Sequence, residues 1–195
     1  MKASRGLILV LIVLWGLAST SRHLFAADLY QGRVIDEETG QPLAGAVLTV
    51  VWFRSPILGF EGTRDFLSVQ ETVSDSDGKF SLTVSPGIDW NPFSYIRKEP
   101  QIVIYQPGYE PTWAGWRDRN KFKTTTEFAE ALKKGLTIKL RKLKTRDELV
   151  KFTDIVLLTH VTVRYENIPR LIQAVNVQNE MVGLQPYPAK GGKTP

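Results

Sequence analysis

Gly32-Arg33-Val34-Ile35-Asp36-Glu37-Glu38-Thr39-Gly40-Gln41-Pro42-Leu43-Ala44-Gly45-Ala46 decides the architecture. It holds the end of one β-strand, a polar turn and the start of a second strand. Gly40 permits the tight turn, Pro42 stiffens the loop, and Gly45-Ala46 lets a neighbouring backbone come close. The strands on either side are Leu29–Asp36 and Ala46–Arg54. The second contains Val47-Leu48-Thr49-Val50-Val51-Trp52-Phe53, a β-branched and aromatic run that suits the centre of a sheet.

Beyond these strands, Ser55–Phe66 reads as a loop with Pro56, Gly59 and Gly62. Leu67–Ser74 and Lys79–Val84 form a hairpin across Asp75-Ser76-Asp77-Gly78, where Gly78 supplies a positive φ. A loop with Pro86, Gly87, Pro92 and Pro100 precedes a short strand, Gln101–Tyr105, closed by Pro107-Gly108-Tyr109. Arg117–Thr126 is polar and expected at the surface, Glu127–Lys134 is expected to be a short helix, and Leu136–Leu140 alternates as a half-buried strand. Short strands joined by Gly- and Pro-rich turns predict two stacked antiparallel layers.

Beyond Leu140 the periodicity changes. Thr145 and Glu148 have capping-box spacing, and Leu149, Phe152, Ile155 and Val156 repeat as on a helix. The β-branched run Ile155–Val163 fits either helix or strand, with helix preferred. A last helix is expected from Asn167, with Pro169 in its first turn, an apolar face of Leu171, Ile172, Val175 and Met181, and Gly183 at its end. These helices are expected to cover a sheet face or a partner through Leu149, Phe152, Ile155, Leu171, Ile172 and Val175.

Three pieces, in order, resemble the carboxypeptidase regulatory-like domain family. They are Gly32 to Ala46; Thr72 to Phe80, with its Asp77-Gly78 turn; and Pro107-Gly108-Tyr109 behind a strand. Together they cover roughly Gln31 to Leu140. The resemblance implies a mainly β, transthyretin-like Greek-key β-sandwich that packs, displays or binds and rarely catalyses, with Phe80 and Tyr109 plugging its two ends. The zinc carboxypeptidase domain preceding this module in its namesakes has no counterpart in the sequence, so no peptidase activity is implied. The long aromatic loops and the C-terminal helices depart from the minimal family pattern. The expected division is a signal peptide or uncleaved anchor over 1–27, the β-sandwich over 28–142, a C-terminal α-helical extension over 143–185, and a disordered tail over 186–195.

The leader reading rests on Lys2 and Arg5 followed by an apolar run, Leu7–Leu17, broken only by Gly16. A bilayer span takes about 20 residues, so a cleaved secretory signal is preferred. Retention as an anchor over residues 6–21 stays open. The expected location is therefore exported, either periplasmic or secreted, or membrane-anchored. The chain of 195 residues has no cysteine, which excludes a lipidated N-terminus of the lipoprotein kind, a disulfide and a thiol nucleophile. A disulfide-free exported β-domain fits a bacterial envelope. The net charge of +5 owes three of its 25 basic residues to the leader, where Lys2, Arg5 and Arg22 precede Asp28 and no acid does. The remaining 22 face 20 acidic residues, which argues against nucleic acid as a partner.

Few reactive groups stand out. His160 is the one histidine after the leader, so neither a zinc site nor a serine triad has its partners, and no metal or cofactor is expected. Glu37, Glu38, Asp75 and Asp77 lie at turns, where carboxylates ordinarily cap the backbone. Enzyme activity is not expected. The candidate ligand-binding residues are aromatic: Trp90, with Phe93 and Tyr95, in one Pro-rich loop, and Tyr109, Trp113 and Trp116 with Arg117 in another. Flat rings beside polar groups suit sugars, peptides or lipid headgroups; the other reading is that they cap the sandwich ends. The function expected is a structural or binding module whose partner is an envelope protein or, alternatively, a carbohydrate or peptidoglycan. A further alternative is a membrane-tethered envelope protein, associated through its N-terminal segment.

Overall fold

The computed structural model describes residues 27–58, 63–113, 122–158 and 163–188; of 154–158 it describes the backbone. The elements are β1 (Asp28–Asp36), β2 (Val47–Pro56), β3 (Asp65–Val73), β4 (Lys79–Val84), β5 (Ser94–Ile96), β6 (Gln101–Tyr105), β7 (Thr112–Trp113), α1 (Thr125–Lys133), β8 (Leu136–Leu140), α2 (Arg146–Leu158), a 3-10 turn (Tyr165–Asn167) and α3 (Pro169–Val182). The chain is mainly β, with two sheets and C-terminal helices. One sheet is three-stranded in the order β4-β1-β8; the other is five-stranded, β3-β2-β6-β7 with β5 beside β2.

The opening turn forms as its residues dictate. Asp36 Oδ1 accepts from the amides of Glu38 and Thr39, both at 2.8 Å. In the β3–β4 turn Asp75 Oδ1 accepts from Asp77 N at 2.9 Å and Lys79 N at 2.8 Å. Gly78 there has φ +73°, and a Cβ would strike the carbonyl oxygen of Val34. Only glycine meets both conditions.

β2 is the spine. Leu48, Val50 and Trp52 face the cluster between the sheets, with Tyr30, Val34, Phe80, Ile102, Ile104 and Ile138. Val47, Val51 and Phe53 face the other way, into a second cluster with Val103, Tyr105, Ile168, Leu171, Ile172 and Val175. The near-continuous apolar run, interrupted by Thr49 alone, thus follows from burial on both faces. Three layers result: the small sheet, the large sheet, and α3.

Several expectations are corrected. Leu67–Ser74 and Lys79–Val84 do not pair as a hairpin: β3 belongs to the five-stranded sheet and β4 to the three-stranded one, so the 75–78 turn carries the chain from one sheet to the other. β8 pairs with β1 in parallel, Gly32 opposite Leu136 through Asp36 opposite Leu140. The layers are therefore not antiparallel throughout, because alternation sets which face is buried and carries no strand direction. β2 runs on to Pro56 and β3 begins at Asp65, while β5 and β7 form inside stretches that lack a strand pattern. α1 starts at Thr125, two residues before the expected Glu127, because Thr124 Oγ1 accepts from Glu127 N at 3.2 Å. Met181 is 57% exposed and leaves the apolar face of α3. The helix reading of 155–163 holds to Leu158; 159–162, His160 among them, lie outside the described residues.

The helices are bonded to the sheets as well as packed. Ile168 gives α3 no side-chain cap; Glu71 of β3 caps it instead. Its Oε2 accepts from Arg170 N at 2.9 Å, and its Oε1 accepts from Leu171 N and Thr49 Oγ1, both at 3.1 Å. Fully buried Gln178 accepts Gly108 N at 2.9 Å and donates to Leu149 O at 2.7 Å and Thr153 Oγ1 at 2.9 Å. It ties the turn after β6 to α2 and α3. Arg141 bridges buried Glu110 at 2.7 Å and Glu148 at 2.9 Å, joining that turn to the start of α2.

Candidate functional site

The aromatic candidates separate. Tyr109 lies at the end of the sandwich that carries the opening turn. Half-buried, it packs on the inter-sheet core and donates its hydroxyl to Asp36 Oδ2 at 3.0 Å. That hydrogen bond and burial both hold the phenol above its ordinary range, burial being the larger effect. Phe80 is buried between the sheets. Trp113 is half-buried on β7 against the second cluster. Trp116 and Arg117 lie outside the described residues.

Trp90 sits at the opposite end, in an exposed apolar rim. Leu58 is 90% exposed, Trp90 85% and Phe93 74%. Ile57, Ile88 and Tyr95, in the same two stretches of chain, are exposed as well. The rim is built by pairing of β2 with β5, Ser55 opposite Tyr95 and Pro56 opposite Ser94, and extended by Ile57 N donating to Phe93 O at 2.8 Å.

Asp89 fastens the loop. Its Oδ1 accepts from Arg54 Nη1 at 3.1 Å and Asn91 N at 3.0 Å, and its Oδ2 accepts from Ser94 Oγ. The Ser94 hydroxyl, then the Asn91 amide, hold this carboxyl below the usual carboxylate range. Asn91 Oδ1 accepts from Phe93 N at 3.0 Å. Ser68 Oγ and Gln70 Nε2 each donate at 2.8 Å to the carbonyls of Pro86 and Ser85, pinning the loop's stem to β3. The large apolar side chains are thus displayed on a hydrogen-bonded frame.

A cleft of 250 Å³ lies on the face beside Trp113, lined by Phe53, Arg64, Arg97, Glu99 and Gln101 among others. The Arg64 guanidinium stands 4.8 Å from the centre of the Phe53 ring. Glu99 accepts from Thr126 Oγ1 at 2.7 Å, and the buried Oε1 of Gln101 has no hydrogen-bond partner among the described residues. A wider, open groove of 580 Å³ crosses Gln31, Phe80 and Gly135. Its carboxylate, Asp75, already serves the β3–β4 turn.

Among the described residues no three His, Cys, Asp or Glu side chains converge as metal ligands, and no helix is long and apolar enough to cross a membrane. Of the exposed rim residues, Trp90, Phe93 and Tyr95 are among the aromatic residues that the sequence singles out, and Ile57, Leu58 and Ile88 are not. The available signal was an apolar pair, Ile57-Leu58, placed inside a Pro- and Gly-bearing connection. The chain matches no protein-family model, and no curated protein or solved structure is detectably similar to it.

Proposed function

We propose that this chain is a non-enzymatic, exported β-sandwich of the carboxypeptidase regulatory-like type, with transthyretin-like Greek-key connections, serving as a structural or binding module of a bacterial envelope. Its contact surface is the rim of Leu58, Trp90 and Phe93. One observation carries this reading: large apolar side chains are held in water on a fixed frame, while both interior clusters are filled without them. Exposed patches of this kind mark interaction sites.

The test is co-sedimentation of the protein with isolated bacterial envelopes. Trp90→Ala combined with Phe93→Ala is expected to abolish sedimentation while changing unfolding free energy by no more than about 0.5 kcal/mol, as for surface positions. Undiminished sedimentation of the double variant overturns the assignment of the rim. A large loss of stability would mean that the rings serve packing.

A glycan-binding reading has its support in the cleft beside Trp113, where an aromatic ring, two arginines, a carboxylate and an unpartnered amide oxygen lie together. Glycan-array binding lost on Trp113→Ala and kept in the Trp90/Phe93 double variant would favour it.

A further inference from the structure

We infer that the rim inserts into the headgroup–acyl boundary of a phospholipid bilayer. This rests on the proposed role of the rim as the contact surface and names its partner.

Strand direction supplies the first argument. β1 begins at Asp28, opposite Val84, the last residue of β4. The loop bearing Trp90 and Phe93 leaves from that same residue. β3 and β4 are joined by the tight 75–78 turn, so Asp65, which pairs with Arg54, lies at the Val84 end, as do Pro56 and Ile57. The N-terminal segment therefore joins the sandwich at the rim. Ten residues separate Leu17, the end of the apolar run, from Asp28. They reach at most about 35 Å when extended. A bilayer that holds the apolar run, during export or afterwards, is tethered to the molecule at this end.

The chemistry of the rim supplies the second argument. It mixes aliphatic Leu58, Ile57 and Ile88 with Trp90, Phe93 and Tyr95, the combination suited to an interface that is oily on one side and wet on the other. A sugar would need free acceptors beside the rings. Here the carboxylate of Asp89 and the amide oxygen of Asn91 already accept bonds from within the loop. Behind the tip, exposed Arg64, Arg97 and Lys98 alternate with exposed Asp65 and Glu99, so attraction to anionic lipid is weak and burial of apolar surface drives the contact. Where the apolar run stays uncleaved, the rim adds a second attachment to it.

The chain's lack of cysteine allows a direct test. Leu58→Cys at the rim and Ser76→Cys at the far end are each labelled, in the full-length chain, with a polarity-sensitive fluorophore. Each is then mixed with phosphatidylethanolamine–phosphatidylglycerol vesicles. The position-58 emission is expected to shift to the blue, to be quenched by doxyl groups on the acyl chains, and to hold in high salt. Position 76 is expected to stay aqueous. Adding Trp90→Ala and Phe93→Ala should return position 58 to water even while the chain stays on the vesicle. An aqueous position 58 on vesicle-bound chain overturns the inference. If that label shifts instead on cell-wall sacculi, the rim remains the contact surface with a different partner. If it shifts on neither, the proposed function falls as well. A blue shift without vesicles also overturns it: dependence on protein concentration would identify a second copy on the rim, and independence would identify the chain's own N-terminal segment.

Discussion

Asp36 shows how much one side chain can organise. Its oxygens collect two turn amides and the Tyr109 hydroxyl, linking the β1–β2 connection to the turn after β6. The Thr39 amide is the largest of the influences that hold this carboxyl below its usual range. A depressed carboxyl stabilises the fold above its ordinary value, about 4, and that stabilisation is lost as pH falls through the lower, folded-state value. Asp36→Asn is therefore expected to cost about 1–2 kcal/mol at neutral pH and to make the acid loss of stability shallower. Urea unfolding at pH 7 and pH 3 checks this; parallel acid limbs for the two proteins would refute it. In the sequence Asp36 stands as the last residue of an expected strand, and the carboxylates expected at turns are its neighbours Glu37 and Glu38. Its bond to Tyr109, 73 positions away, was not legible there, since local pattern carries no information about distant partners.

At the scale of elements, the sequence marked α3 well: Pro169 opens it, and Gly183, with φ +73°, closes it. What caps its start could not be read there, because Glu71 lies about a hundred residues upstream on another strand. Burial, the largest influence on Glu71, raises its carboxyl above the usual range, so ionising it costs the fold as pH rises through that value. Against that, its two oxygens accept from three donors, two of them the opening amides of α3. Glu71→Ala should lower stability by about 1–2 kcal/mol by leaving the Arg170 and Leu171 amides without their acceptor. Glu71→Gln, which keeps an acceptor oxygen, should cost less than half as much. Equal losses in thermal or urea unfolding would show that charge dominates. The small strands were hidden for a related reason: β5 and β7 owe their form to the neighbours they pair with, and three or two residues hold no period of their own.

For the whole molecule, the sequence points to the paired layers and to helices that cover a sheet face or a partner; Leu171, Ile172 and Val175 do pack on a sheet face, with Val47, Val51 and Val103. The signal was present in Val47–Phe53, where only Thr49 interrupts the apolar residues; a strand at the face of a two-layer sandwich would alternate. The physical consequence is that the C-terminal helices belong to the core. Removing residues 144–195 would uncover Val47, Val51, Phe53, Val103 and Tyr105 on one sheet face. The truncated chain is expected to aggregate or to lose cooperative unfolding, as judged by size exclusion and thermal melting. A soluble, cooperatively melting monomer would show that the sheets stand without α3. The rim could not have been assembled from sequence, because it joins the end of β2 to the β4–β5 connection through pairing that only the fold creates.

Because β2 is shared between two oily compartments, its alignment is doubly policed. A slip by one residue would exchange Leu48, Val50 and Trp52 with Val47, Val51 and Phe53 and misfill both compartments at once. Neither can melt while the other stays intact. The molecule should come apart in a single step, with the amides of this strand the last to trade their hydrogens for deuterium.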